Sequence, residues 1–312
     1  MSYPAKGGTY PNGDDVIMEI RSFLGLTDEM AYLVGLPIVF ALIAIEVLVM
    51  AFKHVRYYKW DDTLGTLGML AGNVAMGAAT KSLFFGCMVW TYQYRLLDLQ
   101  AALPPWLLCL VALFLIDLMF YLWHRASHRV RFLWAIHLSH HSSQEMNFSV
   151  AFRQPVLAPL FKIPFFALLP ILGLDPTIIV VVGTISTLWG VVGHTQIIPK
   201  LGIAEWFLNT PSAHRVHHGI NRQYVDKNYA NMFICIDRLL GTYEPEVEPV
   251  RYGLISQANT QNPVTLTGME WVKIWRDLKT ARSLREAVCY VCGPPGWKPH
   301  YFEPTAAQAP RS

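Results

Sequence analysis

The histidines of this chain are grouped at spacings that suit metal binding. Eleven occur in 312 residues, and five of them lie within HRASHRVRFLWAIHLSHH, positions 124–141. His124 and His128 are four residues apart, so on a helix both imidazoles lie on one face, one turn apart. HLSHH and HRVHH each carry an H-x2-HH pattern. The nine candidate ligands are His124, His128, His137, His140, His141, His194, His214, His217 and His218.

Nine imidazoles exceed what one metal ion can coordinate, so the pattern predicts two ions, each with four or five nitrogen ligands and an open position. Imidazole binds iron, zinc, copper and nickel, so ligand type does not name the metal. The chain has neither the H-E-x-x-H of zinc proteases nor the Glu-x-x-His of carboxylate-rich di-iron bundles. A histidine-rich pattern beside a bilayer instead favours oxygen chemistry, in which iron activates dioxygen for attack on an unactivated C–H bond.

The sequence around these histidines is apolar. The whole chain is 53% hydrophobic and only 15% charged, with mean hydropathy +0.30, whereas an average soluble domain is roughly one-quarter charged. A membrane helix needs about 20 consecutive apolar residues. Five apolar blocks meet or approach this length: 31–52, 63–90, 103–123, 155–172 and 176–193. The last two are short and closely linked, so we predict that they form one helical hairpin.

The basic residues orient these blocks. Three cations follow the first block, at positions 53, 56 and 59, and three follow the third, at 125, 129 and 131. By the positive-inside rule both loops face the cytoplasm, and every histidine cluster then returns to that side. The expected location is the bacterial cytoplasmic membrane or the endoplasmic reticulum.

The predicted fold is all-α: a polytopic membrane helix bundle of about four spans, or two spans plus hairpins, with the histidine clusters on its cytosolic side. Three segments are expected: an N-terminal segment 1–30, a membrane-embedded domain 31–246 with the histidine clusters, and a cytosolic tail 247–312. Within the tail, residues 269–291 are predicted to form one surface helix.

Polar residues near the clusters are candidates for orienting the ligands, because a ligating imidazole usually donates its other N–H to an acceptor. Asp117 lies two helical turns before His124, and an ionisable group inside a span is a functional candidate. The predicted supporting residues are Asp117, Glu145, Asn147, Asp226, Asn228 and Asp237.

A lipid that enters from the bilayer needs an apolar lining and a polar anchor. The predicted substrate-contacting residues are Phe120, Tyr121, Trp123, Arg153, Gln154 and Trp189. Tryptophan and tyrosine also form interfacial belts, and Arg153 could equally meet a lipid phosphate at the membrane surface. Both interpretations stay open at this point.

The segments FYLWHRASH, HLSHHSSQEMNFSVAFRQP, HTQIIPKLG and NTPSAHRVHHGINRQYVDKNY resemble the fatty acid hydroxylase superfamily of histidine-box membrane enzymes. The resemblance covers residues 98–246 and is closest to alkylglycerol monooxygenase-like bacterial members. It implies a small bundle of membrane helices with a cytosolic helical cap. It also implies iron ligation by the eight histidines of the three boxes, with His194 as a ninth ligand.

The resemblance implies an integral-membrane di-iron monooxygenase that hydroxylates the alkyl chain of a lipid, an alkylglycerol ether or a related lipid, using O2. A separate electron donor is expected, either tetrahydrobiopterin or an electron-transfer protein, because the chain has no HPGG-type cytochrome b5 segment and no G-x-G-x-x-G. A nucleic-acid partner is not expected.

Three alternatives remain: a desaturase of the same superfamily, a membrane metal transporter and a dinuclear zinc hydrolase. Zinc can also occupy imidazole sites in purified protein.

Overall fold

The computed structural model describes residues 28–299. Most of the predicted segment 1–30 and the end of the tail, 300–312, lie outside these residues. The described chain is helical, and its one extended pairing is an isolated antiparallel bridge between Gly219 and Tyr252. In chain order the helices are α1 Asp28–Lys53, α2 Trp60–Tyr92, α3 Leu99–Ala102, α4 Pro105–Arg129, α5 Arg131–His137, α6 Ala158–Phe161, α7 Ile163–Phe166, α8 Leu168–Ile171, α9 Pro176–Val192, α10 Pro211–His217, α11 Cys235–Leu239, α12 Pro263–Leu278 and α13 Leu284–Cys292. Short 3-10 helices occupy His140–Ser142, Phe148–Phe152 and Gly202–Trp206.

Two helices of the described chain, α2 and α4, are long and apolar enough to cross a membrane. In the most apolar 18-residue stretch of each helix, 11% of α2 is buried inside the protein, against 50% of α4. Leu64, Leu67, Val74 and Phe85 on α2 are exposed. A contiguous apolar face of this length marks a membrane or protein contact, which supports a membrane protein.

The fourth apolar block is not one continuous helix. It consists of α6, α7 and α8, each of four residues, and each contains one proline. Proline has no N–H to donate and its ring clashes with the preceding turn, so three prolines in fourteen residues divide the segment into short turns. The run Ala158–Ile171 and α9 are apolar but shorter than the two candidate spans.

The apolar core lies where α4 packs against α9 and the end of α2. Buried side chains from these elements and from α8 form one cluster, which includes Met88, Leu108, Ala112, Ile116, Leu169, Ile178 and Val182. α9 begins with Asp175 as its N-cap, whose carboxylate accepts the N–H of Thr177 at 2.7 Å, followed by Pro176 in the first turn. This packing fixes the ends of α4 and α9 from which His124, His128 and His194 extend.

The prediction of a single surface helix over residues 269–291 is wrong. α12 ends at Leu278, and α13 starts again after Ser283, whose hydroxyl accepts the N–H of Glu286 at 3.2 Å. Ser283 and Glu286 have the S-x-x-E spacing of a capping box, which begins a new helix.

The two tail helices pack against the histidine-bearing end of the molecule. Arg131 of α5, only 4% exposed, forms ion pairs with Glu270 at 2.8 Å and with Asp277 at 2.7 Å, both on α12. These contacts fasten α12 beside the segment that contributes His137.

Candidate metal centre

The nine histidines come together in two groups, and all are at most 8% exposed. The ligand nitrogens within each group lie within 4.8 Å of one another. The first group, called the five-histidine group, contains His124, His128, His137, His141 and His217. The second, the four-histidine group, contains His140, His194, His214 and His218.

Each of the two H-x2-HH segments contributes to both groups. Neighbouring side chains on these short helical turns point in different directions, so His140 and His141 belong to different groups, and so do His217 and His218. The groups are adjacent: the ring centroids of His141 and His218 are 4.5 Å apart.

The spacing of the imidazole nitrogens suits metal coordination. Nε2 of His137 lies 2.9 Å from Nε2 of His124 and 3.1 Å from Nε2 of His141. In the other group the Nε2 atoms of His194 and His214 are 3.0 Å apart. Two nitrogens bound at about 2.1 Å to one metal, and at right angles, lie about 3.0 Å from each other.

Backbone carbonyls set the tautomers of four of the rings. A carbonyl can only accept, so the Nδ1 beside it carries the proton and Nε2 keeps its lone pair. The Nδ1–H donors and their acceptors are His124 to Tyr229 at 2.7 Å, His217 to Lys227 at 3.0 Å, His140 to Arg153 at 3.1 Å and His194 to Gly190 at 2.8 Å. This is the arrangement in which a metal-ligating histidine is usually held.

The rings are neutral and partly unsatisfied. Burial lowers the pKa of His140 to about 3 and that of His194 to about 4, and burial also lowers the pKa of His218. Four buried ring nitrogens have no hydrogen-bond partner in the described protein: Nε2 of His128, Nδ1 of His137, Nε2 of His217 and Nε2 of His218. Buried polar atoms are normally satisfied, and for the three Nε2 atoms a metal ion would be the partner. The donor set therefore fits two metal ions.

Two buried carboxylates hold the loop behind His124. Asp237 accepts the N–H groups of Tyr229 at 2.7 Å and of Ala230 at 2.8 Å. Asp117 accepts the next three N–H groups, those of residues 231–233, at 2.6 to 3.1 Å. Both residues therefore act on the imidazoles through the backbone, and not by accepting a ring N–H as predicted.

Of the other predicted supporting residues, only Asp226 faces a ligand ring. Its Oδ1 lies 3.6 Å from Nδ1 of His128, while Oδ2 accepts from Arg129 at 2.8 Å. The remaining three bind other parts of the chain: Glu145 pairs with Lys59, Asn147 bonds to the backbone of Tyr57 and Ser149, and Asn228 bonds to the backbone of Ala213 and Glu244.

The substrate role predicted for Arg153 requires a correction. Its guanidinium is fully buried and forms an ion pair with Asp62 at 3.2 Å. Its remaining hydrogen bonds go to Ser139, Ser142, Thr66, Gln261 and the carbonyl of Asp62, so all three guanidinium nitrogens bind inside the protein. Arg153 instead fixes the segment whose carbonyl holds His140.

The other residues predicted to contact substrate fall into two sets. Tyr121 is fully buried and bonds to Thr242 at 3.0 Å, Trp189 donates to the carbonyl of Asn209 at 3.0 Å, and Gln154 donates to the carbonyl of Ala151 at 2.7 Å; these contacts are internal. Phe120 and Trp123, in contrast, lie against the ligand His124, with ring centroids 5.0 and 5.9 Å away.

A cleft of about 660 Å³ reaches the metal ligands from the side of the tail helices. His128, His141, His217 and His218 line it, together with apolar side chains such as Trp134, Leu138, Ile220 and Leu254, and charged residues such as Arg129, Lys273, Arg276 and Lys298. Sequence reasoning missed this cleft, because the residues that close it come from α5, α12 and three separate loops.

Glu46 of α1 was also missed as a structural partner of the site. Its carboxylate is buried and accepts from the hydroxyl groups of Thr195 and Tyr58 and from the N–H of Phe148. It thus holds the residue after His194. The available signal was its position as the single acidic residue in the first apolar block.

The segment that contains the nine histidines is similar to known proteins. Residues 109–242 match the fatty acid hydroxylase family model. The alkylglycerol monooxygenase of Xenopus tropicalis is 36% identical over 212 residues, 68% of this chain and 46% of that protein. The human alkylglycerol monooxygenase is 34% identical over 244 residues, 77% of this chain and 54% of that protein.

A more distant relative is the ornithine lipid hydroxylase OlsE of Rhizobium tropici, 28% identical over 130 residues, 41% of this chain and 39% of that protein. The chain spans about half the length of the alkylglycerol monooxygenases it matches. No solved structure matches it. On the matched segment and on these relatives, the chain belongs to the fatty acid hydroxylase superfamily.

Proposed function

We propose that this chain is an integral-membrane di-iron monooxygenase that inserts oxygen from O2 into the alkyl chain of a lipid. The observation that carries the proposal is the pair of buried imidazole groups, with four Nδ1–H groups held by backbone carbonyls. The names of the relatives, alkylglycerol monooxygenase and ornithine lipid hydroxylase, support a lipid substrate. An alkylglycerol ether is the first candidate.

Iron bound by the two histidine groups would supply the activation of O2. The protein holds nine neutral imidazoles in place, since the carbonyl acceptors prevent four of the rings from turning over. The cluster of Trp123, Ile136 and Phe120 excludes water from one side of the five-histidine group. The cleft beside Trp134 gives polar reactants a second approach, from the side of the tail helices. We propose that a separate reductant, a pterin or an electron-transfer protein, delivers electrons there.

The proposed arrangement is multi-pass, with the histidine groups on the cytoplasmic side. Lys59, after α1, pairs with Glu145, and Arg129, at the end of α4, pairs with Asp226, so basic residues of both loops lie beside histidine-bearing segments, which supports a cytoplasmic face by the positive-inside rule. The ligands lie at helix ends and in the loops that follow. A transport path would need ligands distributed through the depth of the spans, so this placement does not favour a transporter.

The test is oxygen incorporation by iron-reconstituted protein in membranes that contain 1-O-hexadecylglycerol, supplied with a chemical reductant and ¹⁸O2. We expect about two iron ions per chain and a lipid product that carries ¹⁸O. His140→Ala and His217→Ala should each abolish the product while the protein remains inserted. His54→Asn, which changes an exposed histidine with φ 55° to a residue that tolerates this conformation, is the matched control and should keep full activity.

Product analysis separates the proposal from its nearest rival. A product with two hydrogens fewer and no ¹⁸O would identify a desaturase. Tightly bound zinc, with no O2 uptake after iron replacement, would contradict both and favour a hydrolase.

A further inference from the structure

Lys162 is a lysine inside an apolar cluster beside the five-histidine group. It lies between α6 and α7 and is half-buried. Its Nζ lies over the ring of Trp123, 4.5 Å from the centroid, and 5.4 Å from the centroid of Phe120. These ring faces are the contacts the structure gives its ammonium group, and the ion pairs and hydrogen bonds found among residues 28–299 include none to its Nζ. An ammonium among apolar side chains keeps N–H donors that an anion or an oxygen acceptor can take.

A second donor lies at the same place. Trp123 is only 2% exposed, and its Nε1–H is buried with no hydrogen-bond acceptor in the described protein. Contact of Lys162 with the ring face leaves this in-plane N–H free. A buried Trp N–H usually has a partner. Two N–H donors, Nζ of Lys162 and Nε1 of Trp123, therefore lie at the same indole ring, and neither has an acceptor in the described protein.

The donor pair adjoins the metal ligands. The ring centroid of Trp123 is 5.9 Å from that of His124 and 5.4 Å from that of His137, both in the five-histidine group. An acceptor bound at Lys162 and Trp123 would therefore be separated from the ligands by the thickness of one aromatic ring. The surrounding side chains, Phe120, Leu157 and Phe165, are apolar and suit an alkyl chain.

We propose that Lys162 and Trp123 form a subsite for the oxygen-bearing end of the lipid substrate, a phosphate, hydroxyl or ether oxygen. This subsite determines specificity, because it fixes how far along the chain the reacting carbon lies from the anchored oxygen. The inference rests on the proposed lipid function and adds to it the chemistry that the enzyme recognises.

Binding to metal-free protein tests the inference without any turnover. The probes are octyl phosphate, 1-O-octylglycerol and octane, titrated against wild-type protein and variants that retain the wild-type melting temperature. Lys162→Met should weaken binding of an oxygen-bearing probe by about 10- to 100-fold, as expected for a lost charge-assisted hydrogen bond, and should leave octane unchanged. Lys162→Arg should retain binding within a few-fold.

Trp123→Phe keeps the ring and removes the N–H, so it should weaken the same probes by about three- to tenfold. Trp271→Phe is the matched control: it removes another buried, unpartnered indole N–H of the same apolar cluster, one whose ring packs on Phe132. It should leave binding unchanged.

The probes also identify the acceptor. Loss of octyl phosphate binding alone in Lys162→Met would indicate an anionic headgroup, whereas equal loss of both oxygen-bearing probes would indicate a hydroxyl or ether oxygen. Wild-type binding of every probe by Lys162→Met and Trp123→Phe would overturn the inference. If binding depends on Lys162 but the protein never forms an oxygenated product, the subsite would be supported and the proposed oxygenase function would be contradicted.

Discussion

Asp117 and Asp237, one on α4 and the other on α11, together accept five consecutive backbone N–H groups, those of residues 229–233. The carbonyl of Tyr229, at the start of this run, receives the Nδ1–H of His124. The two carboxylates therefore position a metal ligand without touching it.

Replacing Asp237 by Asn should loosen the five-histidine group. The amide presents only one acceptor oxygen to the N–H groups of Tyr229 and Ala230 and to Thr242, and lost hydrogen bonds to a charged acceptor are worth about 1.5–3 kcal/mol. We expect a lower melting temperature and iron loss mainly from this group. Iron content and Mössbauer spectra of the variant measure both. Asp175→Asn, which exchanges one good N-cap for another, is the control and should change neither.

A methyl group at residue 193 should disturb the four-histidine group. A Cβ on Gly193 would lie 3.0 Å from Cγ and 3.1 Å from Cδ2 of His214, so the imidazole must shift. Gly193→Ala is expected to reduce iron bound by this group to less than half. The same substitution at Gly183 of α9 meets nothing within 4 Å and should instead add up to about 1 kcal/mol of stability. Unchanged iron content in Gly193→Ala would contradict the expectation that contact with residue 193 fixes the position of His214.

The metal-free protein should become less stable as the pH falls below about 6.5. Above that pH a histidine is neutral in both the folded and the unfolded chain, so its ionisation adds nothing to the free energy of unfolding. Below it the unfolded chain binds protons, whereas folded His140 and His194, with pKa values of about 3 and about 4, do not. The loss approaches about 1.4 kcal/mol per pH unit for each histidine and ends near the folded pKa.

Melting temperatures of the metal-free protein between pH 7.5 and pH 4.5 test this dependence. His194→Asn removes one of the titrating groups and should make the decline shallower. A melting temperature that rises as the pH falls to 5 would contradict the assignment of these rings as neutral.

Removal of Arg153 should be destabilising because it leaves a buried charge. Asp62 has a side chain only 3% exposed and pairs with this arginine. Arg153→Met is expected to reduce the free energy of unfolding by about 3–5 kcal/mol. Adding Asp62→Asn should restore part of this loss, so the double variant should be more stable than the sum of the two single changes predicts. Strict additivity would mean that the pair does not interact.

The ligands could be predicted from sequence because their signal is local. Residues four apart, such as His124 and His128, lie on one face of any helix. The structure brings all nine histidines together. Their division into two groups could not be predicted, since it depends on how α4, α9 and α10 meet. The acceptors that hold four of the rings were missed for a similar reason. Every residue carries a backbone carbonyl, so the sequence does not mark the one that accepts from a ring.

Other misinterpretations came from reading a residue type without its neighbours. Arg153 suggested a headgroup contact because arginine binds phosphate, but its ion pair with Asp62 joins residues 91 positions apart. The break between α12 and α13 was readable, because the S-x-x-E spacing at Ser283 marks a helix start.

Histidines that are adjacent in the chain belong to different groups, and this affects how the two metal ions bind. His140 and His141 share one short turn, as do His217 and His218, so ordering either turn for one metal ion also orders ligands for the other. The first ion to bind therefore bears the entropy of fixing both turns, and the second binds to a preorganised site. Loading of the wild-type protein should be cooperative, and half-loaded wild-type protein should be scarce, whereas a variant that damages one group directly can still lose iron from that group alone.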